Sequence, residues 1–488
     1  MTKETMPPDW QALGSGAADA FDGTTIELSG WMLPLDVATE ADYFLLTRDA
    51  PCCGGCVPAD PRACVEVFAT QPIPVRAQAV AIRGHLRVLT DDPAGWRYQL
   101  VDAAPAAIAT TAATLSRRAF LASGAALGLA ACAPGRFASY TDATDHTAEP
   151  ASAPADDTSN AWRTVSTLTI DMHSHAGHVT VSRDPAIGVN RPFLPVAAPM
   201  RAGGMNVICL AIVADTTATR ISADRRRFEA WREPQPGELY ALGQASFKRV
   251  DELIEREQLQ VVTDTASLAA LGKTGPCVIV AAEGADFLEG RVERVDEMYS
   301  AHRLRHLQLT HYRVNELGDI QTAPPVHGGL TDFGADVVRR CNALGIVVDV
   351  AHGTYDLVKR AATTTTKPLV LSHTALLTHP STYSRSISPD HARAIADTGG
   401  VIGVWPSSGS FHDLQGMAEG MKRMADVVGV EHVGLGTDLY GFISPPVFRR
   451  YQQLPVLANA LIGTGFSAGE VGMILGGNYR RVFEASVG

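Results

Sequence analysis

Eight short apolar runs, each followed by more chain than a tight turn needs, constrain this sequence more than any other feature. TLTIDMH, MNVICLAIV, CVIVAAE, LRHLQLTH, GIVVDVAH, PLVLSH, GVIGVWP and HVGLGTD follow one another from Thr167 onward. Their aliphatic and β-branched content is that of buried strands. Between them lie amphipathic stretches such as SFKRVDELIEREQ and GADVVRRCNALG. Eight such units over about 320 residues predict an α/β chain folded as a (β/α)8 TIM barrel. A doubly wound open sheet is the competitor. It would carry a glycine-rich phosphate loop after its first strand, and DMHSHAGH is not one.

The remainder of the chain reads differently. Residues 1–110 alternate short apolar runs with turn residues (TIELSGWML, ADYFLLT, CVEVFA, VRAQAVAIRGHLRVL, WRYQLV), the pattern of a small β-rich, barrel-like domain. Residues 111–164 hold a signal-like apolar segment, 116–132, followed by a Ser/Thr/Ala/Pro/Asp tract too polar to build a core, which predicts a flexible linker. The catalytic unit is expected over 165–488. Ser116-Arg117-Arg118-Ala119-Phe120-Leu121 precedes a small-residue stretch ending Leu129-Ala130-Ala131-Cys132. Twin arginines, a short apolar core and LAAC resemble a twin-arginine export signal with a lipobox, which would lipidate Cys132. A whole domain stands in front of it, which implies either a gene fusion or translation starting near Leu115. Function of the segment as a signal predicts an exported protein, periplasmic or membrane-anchored in a bacterium; otherwise the protein is cytoplasmic.

Composition narrows the classes. The formal charge of −11 argues against a general electrostatic grip on nucleic acid. No apolar run reaches the roughly 18–20 residues that span a bilayer, which excludes a multi-pass membrane protein. Four of the eight cysteines, Cys52, Cys53, Cys56 and Cys64, cluster around CCGGC. That spacing suits metal or redox chemistry, a disulfide or a purely structural role, with no second C-x-x-C pair to decide. Cys209, Cys277 and Cys341 sit singly in apolar runs and are expected to be core thiols.

Fourteen of the fifteen histidines fall after residue 145, several of them where a barrel strand ends. His173 and His175, two apart on an extended strand, project to one side. Glu283 ends the third run, His311 the fourth, His352 the fifth, His373 the sixth and Asp438 the eighth. The C-terminal ends of barrel strands are where this fold builds its active sites. Imidazoles and carboxylates without a local thiolate suit zinc, with cobalt, manganese or iron as alternatives. Four histidines and a carboxylate exceed what one tetrahedral catalytic ion takes from protein. Two ions bridged by a carboxylate and a hydroxide fit the count better. Asp286, Asp319, Asp332 and His178 have no distinguishing spacing and are expected as loop residues or as residues supporting the ligands, with solvated surface positions the favoured reading.

DMHSH, AAEGAD, LQLTHYRVN, GLTDFGADVVRRCNALGIVVDVAH, PLVLSHT, RSISPDHARAIADTGGVIGV, HVGLGTD and ILGGNYRRVF resemble the membrane dipeptidase (renal dipeptidase) family over about residues 168–485. These are zinc metallopeptidases built on amidohydrolase-like barrels. The resemblance implies that His173 and His175 bind one zinc, His352 and His373 a second, and Glu283 both. It implies that His311 contacts the substrate carbonyl or tetrahedral intermediate, that Asp438 shuttles the proton, and that Arg385 binds the substrate carboxylate. The family usually has His-x-Asp in its first strand; His175 removes one negative charge there, making the site more cationic. The reaction so implied is hydrolysis of a dipeptide, or of a similar small N-acyl amino acid, by a metal-bridging hydroxide. Expected partners are that substrate, a lipid anchor at Cys132 and a second copy of the chain, without nucleic acid. The alternatives are another amidohydrolase-type reaction on a lactam, lactone or cyclic amide, and a non-catalytic lipid-anchored metal-binding protein. The segment GWMLPLD…CCGGCVP…GWRYQL resembles a bacterial family of small β-barrel domains of uncharacterised function.

Overall fold

The computed structural model describes the chain apart from residues 1–7, 35–39, 51–60, 77, 90–96, 107–167, 223–226, 272–274, 378–382, 412 and 444–445. The signal-like segment 116–132, its linker, and Cys52, Cys53 and Cys56 therefore lie outside the described residues.

The N-terminal strands Thr25–Pro34, Glu40–Thr47, Cys64–Pro74, Val80–Val88 and Tyr98–Pro105 close into a five-stranded barrel. Their pairings are antiparallel except for the third and fifth strands, which run parallel. Alternate residues point inward, as a barrel requires. Phe44 with Leu46, Val65 with Val67, and Tyr98 with Leu100 form its core.

The second unit contains all eight runs as strands: Ile170–Ser174, Val207–Val213, Cys277–Glu283, His306–Gln308, Val347–Asp349, Val370–Thr374, Val401–Val404 and Val433–Leu435, numbered here one to eight. They lie in that order in one sheet, each parallel to the next. A bridge between Ser174 and Leu439 brings the chain after strand eight against strand one and closes the barrel. Helices follow the strands, among them Glu238–Glu257 after strand two and Asp332–Leu344 after strand four. Thr331, Thr354, Ser388 and Asp413 cap four of these helices with side-chain oxygens.

Both faces of the strands are buried, which is why the runs read as continuous hydrophobics. Val207, Cys209 and Ala211 face the barrel interior, while Ile208, Leu210 and Ile212 face the helices. Strand three repeats this with Cys277, Ile279 and Ala281 inside, and Val278, Val280 and Ala282 outside. Cys209, Cys277 and Cys341 are buried as expected. At the barrel floor the C-terminal helix Asn478–Val487 contributes Tyr479, Val482 and Phe483 to the interior cluster. Strand seven passes so close to strand six that a Cβ on Gly403 would lie 1.7 Å from the Ser372 carbonyl oxygen.

The two hydrophobic units do not share a core. The clusters of the α/β barrel draw only on residues from Leu168 onward. The small barrel meets them through Ile187, packed on Leu33, Leu45, Cys64 and Leu89. A fragment beginning at Ala161 should accordingly fold alone and melt cooperatively within a few degrees of the same unit in the full chain. Circular dichroism and metal analysis check this; a molten fragment would make the small barrel part of the larger fold.

Candidate metal centre

Strand three sets the site. Cys277, Ile279 and Ala281 face inward, and the same parity carries Glu283, the last residue of the strand, into the barrel mouth. Its carboxylate is 2% exposed and surrounded by imidazoles. Oε1 lies 3.1 Å from His352 Nε2, 3.3 Å from His373 Nε2 and 3.6 Å from His173 Nε2. Oε2 lies 3.2 Å from His175 Nε2 and 3.3 Å from His311 Nε2. Asp438 Oδ1 stands 3.4 Å from His175 Nε2.

The other strands deliver their residues in two ways. His373 lies within strand six, and His175 one residue beyond strand one. His311, His352 and Asp438 each lie three residues past the strand end, on turns rather than at the last strand position that the sequence suggested. His352 and Asp438 reach inward by taking positive φ, 66° and 49°. Such backbone is costly for non-glycine residues and is held by its surroundings. The Asp438 N–H donates to His173 O at 2.9 Å, and His175 N–H to Leu439 O at 2.9 Å. Gly441 leaves room for the carboxylate, since a Cβ there would sit 2.0 Å from Asp438 Oδ1.

Buried acids that the sequence reading passed over hold this arrangement. Asp171 accepts from the Thr437 and His173 backbone N–H groups at 2.8 and 3.2 Å, and from the Tyr451 hydroxyl at 2.9 Å. It thereby ties strand one to the turn bearing Asp438. Burial pushes its carboxyl up to about 6, against those hydrogen bonds. Asp215 accepts from His311 Nδ1 at 2.7 Å and from the Tyr312 N–H at 3.2 Å. It sits just past the end of strand two, so the strand-end rule that found the histidines could have found it too. Asp286 and Asp319, expected at solvated positions, are fully buried. Asp286 accepts from Arg313 and Asn315, and Asp319 from the backbone of Val326, His327 and Gly329. His178 is buried as well, its ring 4.9 Å from Tyr440, whereas Asp332 is exposed as expected.

The donor set fits metal. His175 Nδ1 donates to the Ala211 carbonyl at 2.8 Å, so once Nε2 gives up its proton its lone pair faces the cluster. Nε2 atoms meet at 3.0 Å between His352 and His373, and at 3.3 Å between His173 and His175. Donors around a tetrahedral zinc at about 2.0–2.1 Å stand about 3.3 Å apart, which is the spacing seen. Three overlapping ligand groups result: His173, His175 and Asp438; His173, Glu283 and His373; Glu283, His311 and His352. His311 and Asp438 are thus placed to donate to a metal, besides the substrate and proton roles that the resemblance implies for them.

Electrostatics agree. Burial alone would raise Glu283, but the His311 and His173 charges and hydrogen bonds from His173 and His175 hold it well below the usual carboxylate range. Burial likewise opposes charge on His175, yet Asp438 and Glu283 push its imidazolium up to about 10. Burial, with the His173 charge, brings His373 down to about 4, and burial with the Arg385 charge keeps His352 well below its ordinary value. These two imidazoles are neutral and able to ligate. Protons and cations compete for such lone pairs, so a pair of carboxylates that draws a proton this firmly also attracts a metal ion.

A cavity of about 320 Å³ opens over the cluster, with Arg385 and Trp405 in its wall. Arg385 donates to Gln321 Oε1 at 2.8 Å and to the His373 carbonyl at 3.2 Å. All eight residues singled out in the sequence therefore meet here, seven in the cluster and Arg385 beside it.

Fold and site together define a metal-dependent hydrolase type of α/β barrel. The model of the membrane dipeptidase family, peptidase family M19, matches residues 198–487, more than half of the sequence, and the chain belongs to that family. The match begins after His173 and His175. A dipeptidase of Aspergillus oryzae, aclJ, is 28% identical over 197 residues, 38% of this chain and 46% of that protein. Mouse dipeptidase 3 is 29% identical over 161 residues, 32% of each chain. The chain spans about half the length of the first curated relatives it matches. A metallopeptidase from Rhodobacter sphaeroides, solved with a phosphinate mimic of the dipeptide L-Ala-D-Ala, shares the fold with a TM-score of 0.56. It is 18% identical, and the match covers 66% of this chain and 99% of that one.

Glu283→Gln should lose most of the bound metal, because a neutral amide ligates a cation far more weakly than a carboxylate; full metal content by elemental analysis would remove Glu283 from the centre. Asp215→Ala should cost about 10–100-fold in metal affinity or turnover through a misplaced His311, and should cost little more in a His311→Ala background.

Proposed function

We propose that the chain is a dinuclear zinc hydrolase that cleaves the amide bond of dipeptides or similar small N-acyl amino acids. The observation that carries this reading is Glu283, whose Oε1 faces His173, His352 and His373 and whose Oε2 faces His175 and His311 at the mouth of the barrel. His173 and His175 would hold one ion, His352 and His373 the other, with Glu283 common to both. Imidazole and carboxylate without thiolate suit zinc. When bound, the ions would supply an acidified water as nucleophile and polarise the scissile carbonyl.

The chain's own residues do the rest. Asp215 accepts the His311 Nδ1–H and, against burial and with Glu283, favours the protonated ring, whose Nε2–H would face the cavity and stabilise negative charge on the substrate oxygen. Asp438, fixed by its backbone bond to His173, takes a proton from the nucleophile and returns it to the leaving amine. Arg385 presents a buried Nε without a partner, a donor suited to the substrate's terminal carboxylate. The cavity volume suits a dipeptide-sized molecule. The phosphinate-bound Rhodobacter neighbour supports the same size of ligand.

Metal analysis with a dipeptide panel on the full chain tests this reading: two ions and turnover support it, and two ions without turnover of any amide defeat it. Asp438→Asn separates the two placements of that residue. Near-complete loss of turnover with both ions retained marks the proton shuttle; loss of one ion together with activity marks a ligand.

The segment Ser116–Cys132 is read as an export signal lipidated at Cys132, which would tether the mature barrel outside the cytoplasmic membrane. Mature protein should then partition into detergent, and Cys132→Ser should abolish that.

A further inference from the structure

Strand seven brings no ligand to the imidazole cluster, yet its parity aims a side chain at the mouth. Val401 lies in the interior cluster, and Ile402 and Val404 in the outer one. The same alternation carries Trp405, one residue past the strand, inward to the wall of the cavity. Its indole lies 5.9 Å from the His373 ring and 5.2 Å from that of Phe442. The Arg385 guanidinium stands 5.2 Å over it, within cation–π range.

Thr374, at the end of strand six, joins these two residues. Its carbonyl accepts from the Trp405 N–H at 2.9 Å, and its hydroxyl donates to the Arg385 carbonyl at 2.7 Å. Arg385 also donates to the His373 carbonyl at 3.2 Å. Guanidinium and indole are thus fixed side by side on backbone that carries a candidate ligand.

What the pair lacks is acceptors. Trp405 is 9% exposed, and its Nε1 is buried without a partner among the described residues. The same holds for Arg385 Nε. Both groups donate and cannot accept. A buried donor left unmatched is destabilising, and a purely apolar side chain would fill the same space without that loss. The two orphaned donors therefore mark a place where a ligand brings oxygen atoms. Arg385 forms no ion pair among the described residues, so charged oxygens answer its guanidinium as well. A carboxylate offers two, one for each donor.

We infer that Trp405 binds the substrate: its indole N–H and the Arg385 Nε–H each take one oxygen of the terminal carboxylate, so that Trp405 helps to set the requirement for a free carboxylate. This rests on the amide-hydrolase reading above and adds a specificity-determining residue to it.

The test uses the full-length, metal-loaded protein with glycylalanine and glycylalaninamide, each as both alanine enantiomers. The amide keeps one acceptor oxygen and replaces the other by a donor. Trp405→Phe keeps an aromatic ring and removes the N–H. It should raise KM for glycylalanine at least about tenfold, the scale of one hydrogen bond to a charged group, with kcat within about twofold. For glycylalaninamide, kcat/KM should change by less than about threefold, since a neutral acceptor gains less from the same donor. An unchanged KM, or an equal loss on both compounds, overturns the inference and leaves Trp405 a packing residue. Turnover of neither compound by the wild type defeats the amide-hydrolase reading itself. Calorimetric titration of glycylalanine then still decides: binding about tenfold weaker in Trp405→Phe upholds the contact, and equal or undetectable binding in both proteins overturns it. Should Trp405→Phe melt well below the wild type, the intrinsic fluorescence of the wild type decides. A saturable change with glycylalanine and none with its amide upholds the contact; equal responses, or no response, overturn it.

Discussion

A carboxylate cannot be ionised at the centre of a protein unless its charge is answered there, and the architecture of the larger barrel is arranged around that demand. Glu283 is inside because strand three alternates inside and outside, and its parity ends on an inward residue. Isolated, it would be neutral. It stays ionised because strands one, four, five and six each bring an imidazole to it. No pair of neighbouring strands could do this. Only a closed ring of parallel strands aims so many ends at one point, which is why closure between Ser174 and Leu439 matters to the chemistry as well as to the fold.

Much of this was legible in the sequence because buried parallel strands advertise themselves. Each of the eight apolar runs became a strand, in order, since both faces of every strand are covered and no polar alternation interrupts the signal. The ligating residues were legible for a related reason: a histidine or acid closing an apolar run conflicts with the local pattern, and such conflicts gather at functional sites. What the sequence concealed was backbone detail. His311, His352 and Asp438 come from turns three residues beyond their strands, two of them at positive φ, and hydrophobic periodicity carries no information about such turns.

The buried acids were concealed by a different mechanism. Asp286 and Asp319 follow the statistical habit of aspartate in loops, which favours exposure. Here the two carboxylates are buried because they satisfy side chains and backbone N–H groups that would otherwise be orphaned. Asp319, accepting from three backbone donors, does for a loop what a capping residue does for a helix. Such a role depends on the path of the chain in three dimensions, which spacing along the sequence does not encode.

The barrel interior is polar from floor to mouth along one line, and this joins the two ends of the structure. Tyr479, on the C-terminal helix, donates through its hydroxyl to His306 or accepts from it at 2.8 Å; His306 pairs with Asp349 at 3.0 Å; Asp349 accepts from the Ser372 and Ala351 N–H groups. Those two amides flank His373 and His352, the neutral imidazoles that face Glu283. The helix that plugs the floor is thus connected by hydrogen bonds to the residues of the mouth, through groups that are all buried. In a low-dielectric interior each bond is stronger and each broken one more costly. The strand ends bearing His352 and His373 are consequently held from beneath as well as by their neighbours, and a donor set of this precision needs that second support. The apolar packing builds the barrel; this internal polar chain fixes where its upper ends stand.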